Sequence, residues 1–422
     1  MSALAPPAPG EPRPSARLSI RTAPLKRAVL WMFLFCGASA AIEPSPYEFM
    51  FLVAALALGP RDLAFDRAMI PLIVGLAAFN AGGLIALPPF VGESRSVTFV
   101  ATSVYMAVTA VFFAALVAKD PFDRLRTIRS GYVAAGVFAA MVGIVGYFNF
   151  GGLGDQFNLH LYNRANGPFK DPNVFGPFLV PPIVWLTQDL LLKRGRGLLR
   201  TVAPLALMAF GVLLSFSRGA WGVAIASVVL MAGLTFATTR SPAFRGRIAV
   251  VALVGAFVVA LLLVLALSIP AVHDVFLIRA SFSQDYDLGE TGRFGSQWRS
   301  LPMLLERPFG FGPLQYRNYF PEDPHETYIN AFASYGWLGG LSYLALTATT
   351  ITVGWRLVLT RSPYQTAAIP IWSCLFAQMA QGFQIDTDHW RHLFLLLGAL
   401  YGLAAAERRF RVGAEPQRRA IV

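Results

Sequence analysis

Charged residues are scarce in this chain. Asp, Glu, Lys and Arg make up 14% of its 422 residues, against about 25% in an ordinary soluble domain. A chain of this length would normally form two or three soluble domains, and so few charges could not cover their surfaces. The hydrophobic residues, 55% of the total, occur in long blocks instead of alternating with polar residues. This excludes a soluble multidomain protein and indicates an all-α polytopic membrane protein.

Cysteine is nearly absent as well. Cys36 and Cys374 each lie inside an apolar block, which excludes a disulfide framework and a cysteine-based metal site. We expect both to be packing residues.

Acidic residues are outnumbered, with 23 Asp and Glu against 35 Lys and Arg, and the formal net charge is +12. In a soluble protein this excess would suggest nucleic-acid binding. That function needs a basic patch interleaved with aromatic residues on an exposed domain, and the sequence has none. We therefore expect no nucleic-acid partner.

Twelve apolar blocks approach or exceed the length of about 20 residues that a transmembrane helix needs. They lie at residues 27–43, 46–60, 67–87, 96–118, 130–148, 173–192, 199–216, 218–237, 248–269, 327–355, 365–384 and 390–407. Proline and glycine inside these blocks are compatible with transmembrane helices, because neighbouring helices can satisfy the freed backbone groups. The sequence therefore predicts about twelve transmembrane helices.

The basic residues are distributed unevenly between the two sides that these spans define. The two tails and the even-numbered loops hold 25 of the 35 Lys and Arg, so the net charge is +17 on that side and −5 on the other. Positive residues mark the cytoplasmic side, and we expect both termini there. The excess positive charge is thus mainly a signal of orientation.

Blocks and charges divide the chain into five regions. We expect a disordered cytoplasmic tail at 1–25, transmembrane helices 1–9 within 26–269, a large outer loop at 270–326, transmembrane helices 10–12 within 327–407, and a basic cytoplasmic tail at 408–422. The first tail is rich in proline and has little apolar surface to bury, which is typical of disorder.

The outer loop has a helical pattern of its own. Phe294, Trp298, Leu301 and Leu305 recur at helical spacing, which predicts an amphipathic helix near the membrane interface. Pro302 should kink or divide this helix. A structural lid without chemistry is one interpretation. The loop's arginines, a glycine-proline turn run at 308–313 and His325 at the next span favour a functional one; the arginines are Arg279, Arg293, Arg299, Arg307 and Arg317.

A second unusual feature is Ser217-Arg218-Gly219, where two spans meet on the outer side almost without a loop. Arginine near membrane depth is costly and is usually paired or functional, although Arg218 could also extend to the lipid headgroups. The motif at 170–173 is a weaker candidate, because Asp171 as an N-cap followed by Pro172 explains it as a helix start.

Together these motifs resemble the bacterial O-antigen ligase and polymerase superfamily. The resemblance rests on Ser217-Arg218-Gly219, Arg293, Trp298, the run Glu306-Arg307-Pro308-Phe309-Gly310-Phe311-Gly312-Pro313, the segment His325-Glu326-Thr327-Tyr328-Ile329-Asn330, and Gly336-Trp337-Leu338-Gly339, with ten residues between His325 and Gly336. The motifs lie within residues 171–340, and the layout of twelve spans with one large outer loop extends the resemblance to the whole chain.

The resemblance implies a membrane-embedded, inverting glycosyltransferase of the GT-C type that needs neither a metal nor another cofactor. Such enzymes take a glycan from undecaprenyl pyrophosphate and transfer it to an acceptor hydroxyl on the periplasmic side of the bacterial inner membrane. The acceptor is lipid A–core in the ligase branch and another lipid-linked repeat unit in the polymerase branch. The outer loop would then be periplasmic.

The resemblance also implies site residues. The family's two functional arginines correspond to Arg218 and Arg293, and its functional histidine corresponds to His325. We expect these three to be catalytic, with Arg218 and Arg293 also binding substrate. Four further substrate contacts are predicted, and they are Arg299, Tyr328, Glu326 and Trp298.

The chemistry of these residue types agrees with the implied reaction. Guanidinium groups match phosphate oxygens with two parallel hydrogen bonds and keep their charge, so they can stabilise a pyrophosphate leaving group in place of a metal. Histidine, with an ordinary pKa near 6.5, suits a general base that takes the acceptor proton at neutral pH.

Several alternatives stay open on the sequence alone. Two Asp-x-Asp pairs, Asp285 with Asp287 and Asp386 with Asp388, the second beside His389 and His392, could hold a divalent cation. A transporter or flippase of an anionic solute is the rival class, although its substrate site would lie at the bilayer midplane. A structural partner without catalysis is a third class. Within the family, ligase, polymerase and protein O-glycosyltransferase all fit these residues.

Overall fold

The computed structural model describes residues 22–41, 44–192, 198–279 and 292–419, and the elements in these segments are almost all helical. The helices are α1 (Thr22–Cys36), α2 (Pro46–Leu58), α3 (Ile70–Ala86), α4 (Ser94–Lys119), α5 (Pro121–Tyr147), α6 (Leu153–Gln156), α7 (Pro172–Phe178), α8 (Val180–Leu192), α9 (Leu198–Leu214), α10 (Arg218–Thr238), α11 (Pro242–Leu267), α12 (Pro270–Arg279), α13 (Arg293–Leu305), α14 (Thr327–Leu359), α15 (Gln365–Gln381) and α16 (Arg391–Arg419). A two-stranded antiparallel hairpin, β1 (His160–Leu161) and β2 (Arg164–Ala165), follows α6. Short 3₁₀ turns lie at Pro60–Asp62, Arg67–Met69, Pro88–Phe90, Phe150–Gly152 and Tyr316–Asn318.

Each of the twelve apolar blocks coincides with a helix, and one block coincides with two. The block 173–192 divides into α7 and α8 near Leu179, because Pro181 and Pro182 have no N–H to continue the helical ladder. The carbonyl of Phe178, which Pro182 cannot engage, accepts a hydrogen bond from the Tyr132 hydroxyl at 3.1 Å. A side chain of α5 therefore replaces the lost helical bond.

Six helices among the described residues are long and apolar enough to cross a membrane by length and composition. They are Arg67–Ala86, α4, α5, Pro172–Leu192, α10 and α11. Along α11, large apolar side chains such as Leu253 and Phe257 are 72% and 70% exposed, an arrangement that is stable only against lipid. The chain is a membrane protein, and the total of twelve crossings stays a prediction.

Close helix packing depends on small residues. The longest contact is between α4 and α16, where Gly398 and Gly402 face the backbone of α4. A Cβ atom at Gly398 would lie 2.3 Å from the Ala110 carbonyl oxygen, and one at Gly402 would lie 2.7 Å from that of Ala114. Backbones come this close in membrane bundles because glycine leaves room for dispersion contacts that lipid cannot supply. Similar pairs form between α3 and α14 and between α10 and α15.

Ion pairs join several helix ends at one end of the bundle, here called the basic end. Asp62 accepts from Lys26 and, at 2.7 Å, from Arg124, while Arg408 pairs with Asp66 at 3.0 Å and Arg129 pairs with Asp189. These residues belong to the segments predicted to be cytoplasmic, except Asp189, which lies near the end of the predicted span 173–192. The starts of α10, α13 and α14 belong to the opposite set of helix ends, here called the site end.

Three predictions about where helices begin, end or break differ from the structure. Helix α1 begins at Thr22, inside the predicted tail 1–25, whose first 21 residues lie outside the described segments. Helix α16 continues to Arg419, beyond the predicted boundary at 407. Pro302 does not divide the amphipathic helix, since α13 is continuous from Arg293 to Leu305.

Candidate functional site

The loop between α15 and α16, residues 382–390, connects the three residues predicted to be catalytic. We call it the site loop. Arg293 donates a hydrogen bond to the backbone carbonyl of Gln384, and the His325 ring lies beside Asp386. Gln384 also lines a cavity together with Arg218. Side chains from three distant segments thus converge on one short stretch of chain.

His325 lies two positions before the first residue of α14 and has a strained backbone conformation, with φ at +46°. Left-handed φ is unfavourable for histidine unless the surroundings impose it. Here the next two residues are held by the site loop: the Glu326 N–H donates to Asp386 Oδ1 at 3.1 Å, and the Thr327 N–H donates to the Gly382 carbonyl at 2.7 Å. These two hydrogen bonds therefore fix the backbone beside His325 and hold its strained conformation.

The imidazole of His325 is half-exposed, and its Nδ1 lies 3.8 Å from Asp386 Oδ2. Partial burial and then the positive charge of Arg293 lower the pKa of His325 below its ordinary value. Burial and then the charge of Asp388 raise the pKa of Asp386 well above its usual range. At neutral pH the ring is neutral and can accept a proton. Once it has done so, the positive charge of the imidazolium favours the ionised form of Asp386.

Arg218 is the first residue of α10, and Ser217 caps that helix by accepting from the Ala220 N–H at 3.3 Å. Its side chain lies at one end of an apolar cavity of about 450 Å³ between α10 and α15. Gln381 and Gln384 share that end, and the remaining lining is small or apolar: Gly219, Gly222, Val223, Ala226, Val229, Leu230, Phe376, Ala377 and Ala380. The cavity is thus polar at the site end and apolar along its length.

Three helices begin at this site. Arg218 and Arg293 are the first residues of α10 and α13, and His325 precedes α14 by two positions. The N-terminus of a helix carries a partial positive charge and unpaired N–H groups, and it favours anions. Arginine side chains and helix ends therefore create positive potential next to an apolar cavity, an arrangement that can hold an anionic headgroup on a long apolar tail.

Arg164 also belongs to this region, although it is not among the site residues predicted from the sequence. It lies on β2 and is 9% exposed. Its Nε donates to the Ser215 carbonyl at 2.9 Å, and its Nη2 donates to Asn173 Oδ1 at 2.7 Å. Ser215 is three residues before Arg218, so this buried guanidinium holds the turn that starts α10. In the sequence, Arg164 is noticeable because it lies on the predicted outer side, where membrane orientation does not account for a positive charge.

The second acidic residue of the site loop has partners within the protein. Asp388 is 2% exposed, accepts from Asn330 Nδ2 at 3.1 Å and lies 3.3 Å from His389 Nδ1. Asp386 contacts Glu326 N–H and His325, as described above. Among the described residues, no group of three His, Cys, Asp or Glu side chains could hold a metal ion. Asp285 and Asp287 lie outside the described residues.

The four predicted substrate contacts have different surroundings. The Glu326 carboxylate is 5% exposed and caps α14 by accepting from the N–H groups of Tyr328 and Ile329. Tyr328 is buried and donates to the Met379 carbonyl at 2.8 Å. Arg299 and Trp298 lie on α13: the Arg299 guanidinium is 5.6 Å above the Phe320 ring, and Trp298 is 75% exposed. The first two residues support the start of α14, and the last two are accessible.

The glycine-proline run at 308–313 packs where α14 is broken. At Gly336 the backbone has φ +66° and ψ −169°, a conformation that only glycine adopts readily. The Ala333 carbonyl accepts from the N–H of Phe311 at 2.7 Å, and the Trp337 N–H donates to the Pro308 carbonyl at 2.9 Å. The backbone of the run at 308–313 therefore supplies hydrogen bonds that the helix lacks at its break. The same bonds fix the position of the segment between α13 and His325.

The amphipathic pattern of α13 is oriented away from the protein. Its buried face consists of Ser296, Gln297, Ser300 and Leu304. The apolar stripe that predicts the helix is exposed, with Trp298 at 75% and Leu305 at 72%. An exposed apolar stripe on a helix at the end of a membrane bundle suits an interfacial position. Arg293 lies on the buried side of the helix, opposite to this stripe.

Comparison with known proteins identifies this region. Residues 203–344 match the family model described as O-Antigen ligase. The match includes α10, α11 and α13 and extends into α14, so Arg218, Arg293 and His325 all lie within it, while the site loop lies beyond it. It confirms the resemblance to the O-antigen ligase and polymerase superfamily that the motifs predict. No curated protein matches the chain.

Proposed function

Because the chain carries a domain of the O-antigen ligase family, we propose that it transfers a glycan from undecaprenyl pyrophosphate to an acceptor hydroxyl, with lipid A–core as the acceptor. The observation that supports this most is the convergence of Arg218, Arg293 and His325 on the site loop, at the polar end of an apolar cavity. A lipid with an anionic headgroup and a reacting sugar fits that combination.

In this proposal the donor pyrophosphate binds Arg218 and Arg293, and part of the polyprenyl chain lies in the cavity between α10 and α15. The guanidinium forks match the phosphate oxygens, and the N-termini of α10 and α13 add positive potential. Both charges are already in place before the reaction, so they stabilise the additional negative charge on the leaving group without reorganisation. This removes the need for a metal ion at the leaving group.

His325 is the proposed general base. The acceptor hydroxyl gives its proton to His325 Nε2 while its oxygen attacks the anomeric carbon. The bond between that carbon and the pyrophosphate oxygen breaks, and its electron pair stays on the pyrophosphate held by the two arginines. Asp386 lies at the other ring nitrogen, 3.8 Å from Nδ1, where it stabilises the imidazolium that forms. One displacement of this kind inverts the anomeric configuration.

The remaining predicted residues take supporting parts. Trp298 and Arg299 are exposed on α13 and are proposed to contact the lipid portion or the phosphates of the acceptor. Glu326 and Tyr328 are proposed to act through the backbone they hold, since their polar atoms already bond within the protein. Arg164 is proposed to position Arg218.

The proposed location is the bacterial inner membrane, with both termini in the cytoplasm and the site facing the periplasm. Its support is the separation of charge along the bundle: the basic end contains segments rich in Lys and Arg, and the site lies at the other set of helix ends. Such asymmetry sets the orientation of helical membrane proteins.

Deletion of the gene, followed by electrophoresis of the surface polysaccharide, tests the proposed acceptor. Uncapped core together with polymer retained on the lipid carrier would support the ligase. Cores capped with a single repeat unit would instead identify a polymerase, which also uses the lipid pyrophosphate donor. Unchanged surface polysaccharide, with solute uptake by the purified protein in liposomes, would contradict the proposal in favour of a transporter.

A further inference from the structure

A second cavity lies at the end of α10 opposite to Arg218. Its volume is about 230 Å³, and it lies where α10 and α14 end and α11 and α15 begin. We call it the three-arginine cavity, because its lining includes Arg240, Arg245 and Arg361; the other lining residues are Ala237, Thr238, Thr239, Leu359 and Gln365. Three guanidinium groups thus surround one space: Arg240 lies in the connection from α10 to α11, Arg245 in the first turn of α11, and Arg361 in the connection from α14 to α15.

Orientation in the membrane does not account for this convergence. A topogenic arginine needs only to lie on the correct side. Several other arginines of the basic end have carboxylate partners: Arg27 with Asp123, Arg124 with Asp62 and Arg408 with Asp66. No Asp or Glu lines the three-arginine cavity, and among the described residues no ion pair includes any of its arginines. The cavity is therefore a concentrated positive site without a counter-charge from the described protein.

Local contacts orient part of this charge. Arg245 Nε donates to the Thr239 carbonyl at 2.8 Å, and the guanidinium lies 5.4 Å from the Phe236 ring centroid. This arrangement fixes the plane of the guanidinium while its terminal nitrogens keep their N–H donors. Gln365 is similarly held, because its Nε2 donates to the Val358 carbonyl at 2.8 Å. Two lining side chains are thus ordered before any ligand arrives.

We propose that the three-arginine cavity binds the phosphate of an anionic glycerophospholipid headgroup. Arginine matches phosphate oxygens through parallel hydrogen bonds, and basic pockets between the cytoplasmic ends of membrane helices are suited to such headgroups. The cavity adjoins apolar surface on which acyl chains can lie: Leu359 at its edge is 61% exposed, and α11, which starts beside it, exposes apolar residues along its length. This surface favours a lipid over free phosphate.

A bound headgroup would hold several helix ends together. One headgroup would bind the connection from α10 to α11 and the connection from α14 to α15 together. Helix α10 begins at Arg218, α14 begins two positions after His325, and α15 leads into the site loop. The bound lipid therefore stabilises the bundle, and this effect does not depend on the proposed transfer reaction.

Thermal unfolding of the purified full-length protein in a neutral detergent tests the proposal. Phosphatidylglycerol, phosphatidylcholine or sodium phosphate at equal ionic strength is added, and the unfolding temperature is followed against concentration, since a ligand of the folded state raises it. The test variants are Arg240→Gln, Arg245→Gln, Arg361→Gln and the triple variant. The matched control is the triple variant Arg27→Gln, Arg408→Gln, Arg411→Gln, which removes the same charge from ion-paired positions of the basic end.

We expect phosphatidylglycerol to raise the unfolding temperature of the wild type and the control, and phosphatidylcholine and sodium phosphate to have little effect. Each single test variant should weaken the apparent affinity by about fivefold, and the triple variant should lose the response. An equal loss in the control would overturn the proposal, because the effect would then be diffuse attraction. An equal response to sodium phosphate would overturn the choice of a lipid, and no response of the wild type to phosphatidylglycerol would overturn the site.

Discussion

His325 Nδ1 lies 3.8 Å from Asp386 Oδ2, although all of α14 and all of α15 separate the two residues in sequence. The contact exists because the site loop returns to the start of α14 and bonds the backbone of Glu326 and Thr327. A base with a carboxylate at its other nitrogen is oriented and stabilised when it takes a proton. This pair links the fold to the chemistry proposed for it.

The pH dependence of transfer should show the environment of His325. Burial and Arg293 lower the pKa of this histidine, so its neutral, proton-accepting form persists below pH 6.5. The logarithm of kcat/KM should therefore stay flat through neutral pH and fall only on the acid side of that value. In Arg293→Gln the charge that lowers the pKa of His325 is gone, and the acid limb should move to higher pH while the rate also drops.

Arg307→Gln, which removes an arginine bonded to Tyr319, is the control, and its acid limb should not move. An unchanged limb in Arg293→Gln would contradict this account.

Asp386→Asn should lower kcat more than it changes the KM of the acceptor. The amide keeps an oxygen that can accept from the Glu326 N–H, but it no longer offers a negative charge to the imidazolium. Since general base catalysis is worth about 10² to 10⁴ in rate, we expect a loss of about tenfold to a hundredfold. Asp155→Asn, which removes a carboxylate that lies 3.0 Å from the His160 ring, is the matched control and should keep nearly full activity. Equal kinetics for the two variants would count against stabilisation of the imidazolium by Asp386.

Arg164→Lys should impair use of the donor. Lysine keeps the positive charge but cannot bond the Ser215 carbonyl and Asn173 at the same time, which the fork of Arg164 does. Loss of a hydrogen bond from a charged group costs about 1.5–3 kcal/mol, and part of this should appear as displacement of Arg218. We expect the KM for the lipid-linked donor to rise about tenfold or more, measured with the acceptor saturating. If the KM for the donor stays at the wild-type value, Arg164 has only a structural role.

Gly336→Ala should destabilise the protein. A Cβ atom there would lie 2.5 Å from the Pro308 carbonyl oxygen, and its backbone conformation is strained for any residue except glycine. Strain of this type alone costs about 1–3 kcal/mol, and the clash adds to it, so the unfolding temperature should fall clearly. Gly233→Ala on α10 is the control: a Cβ there meets nothing within 4 Å, and replacing glycine inside a helix should be neutral or slightly stabilising. A similar unfolding temperature for both variants would contradict the role of the break in α14.

Much of the fold follows from the pattern of the sequence. Apolar blocks predict the helices because membrane helices must be both long and apolar. The positions of the breaks depend on tertiary contacts. Leu179 ends a helix where Tyr132 can satisfy the Phe178 carbonyl, and α14 breaks at Gly336 where the segment 308–313 supplies bonds. Neither partner is near in sequence.

The site was only partly predictable for the same reason. Arg218, Arg293 and His325 attract attention because charge on the outer side needs an explanation other than orientation, and motif spacing joins them. Asp386 becomes meaningful only through a contact sixty residues away in sequence, with the Glu326 N–H. Arg164 is recognisable only once its partners are known to be the Ser215 carbonyl and Asn173. The sequence identifies Glu326 and Tyr328 but not the direction of their side chains, which bond to the protein.

The most direct measurement is glycan transfer by the purified protein in liposomes, with a synthetic polyprenyl-pyrophosphate glycan, an acceptor and EDTA. The wild type should transfer the glycan. His325→Ala should lose about 10² to 10⁴ in rate while remaining folded, and Arg218→Lys and Arg293→Lys should stay impaired because a point charge lacks the guanidinium fork. Transfer at the wild-type rate by His325→Ala, or no transfer by the wild type until a divalent cation replaces EDTA, would contradict the proposed mechanism.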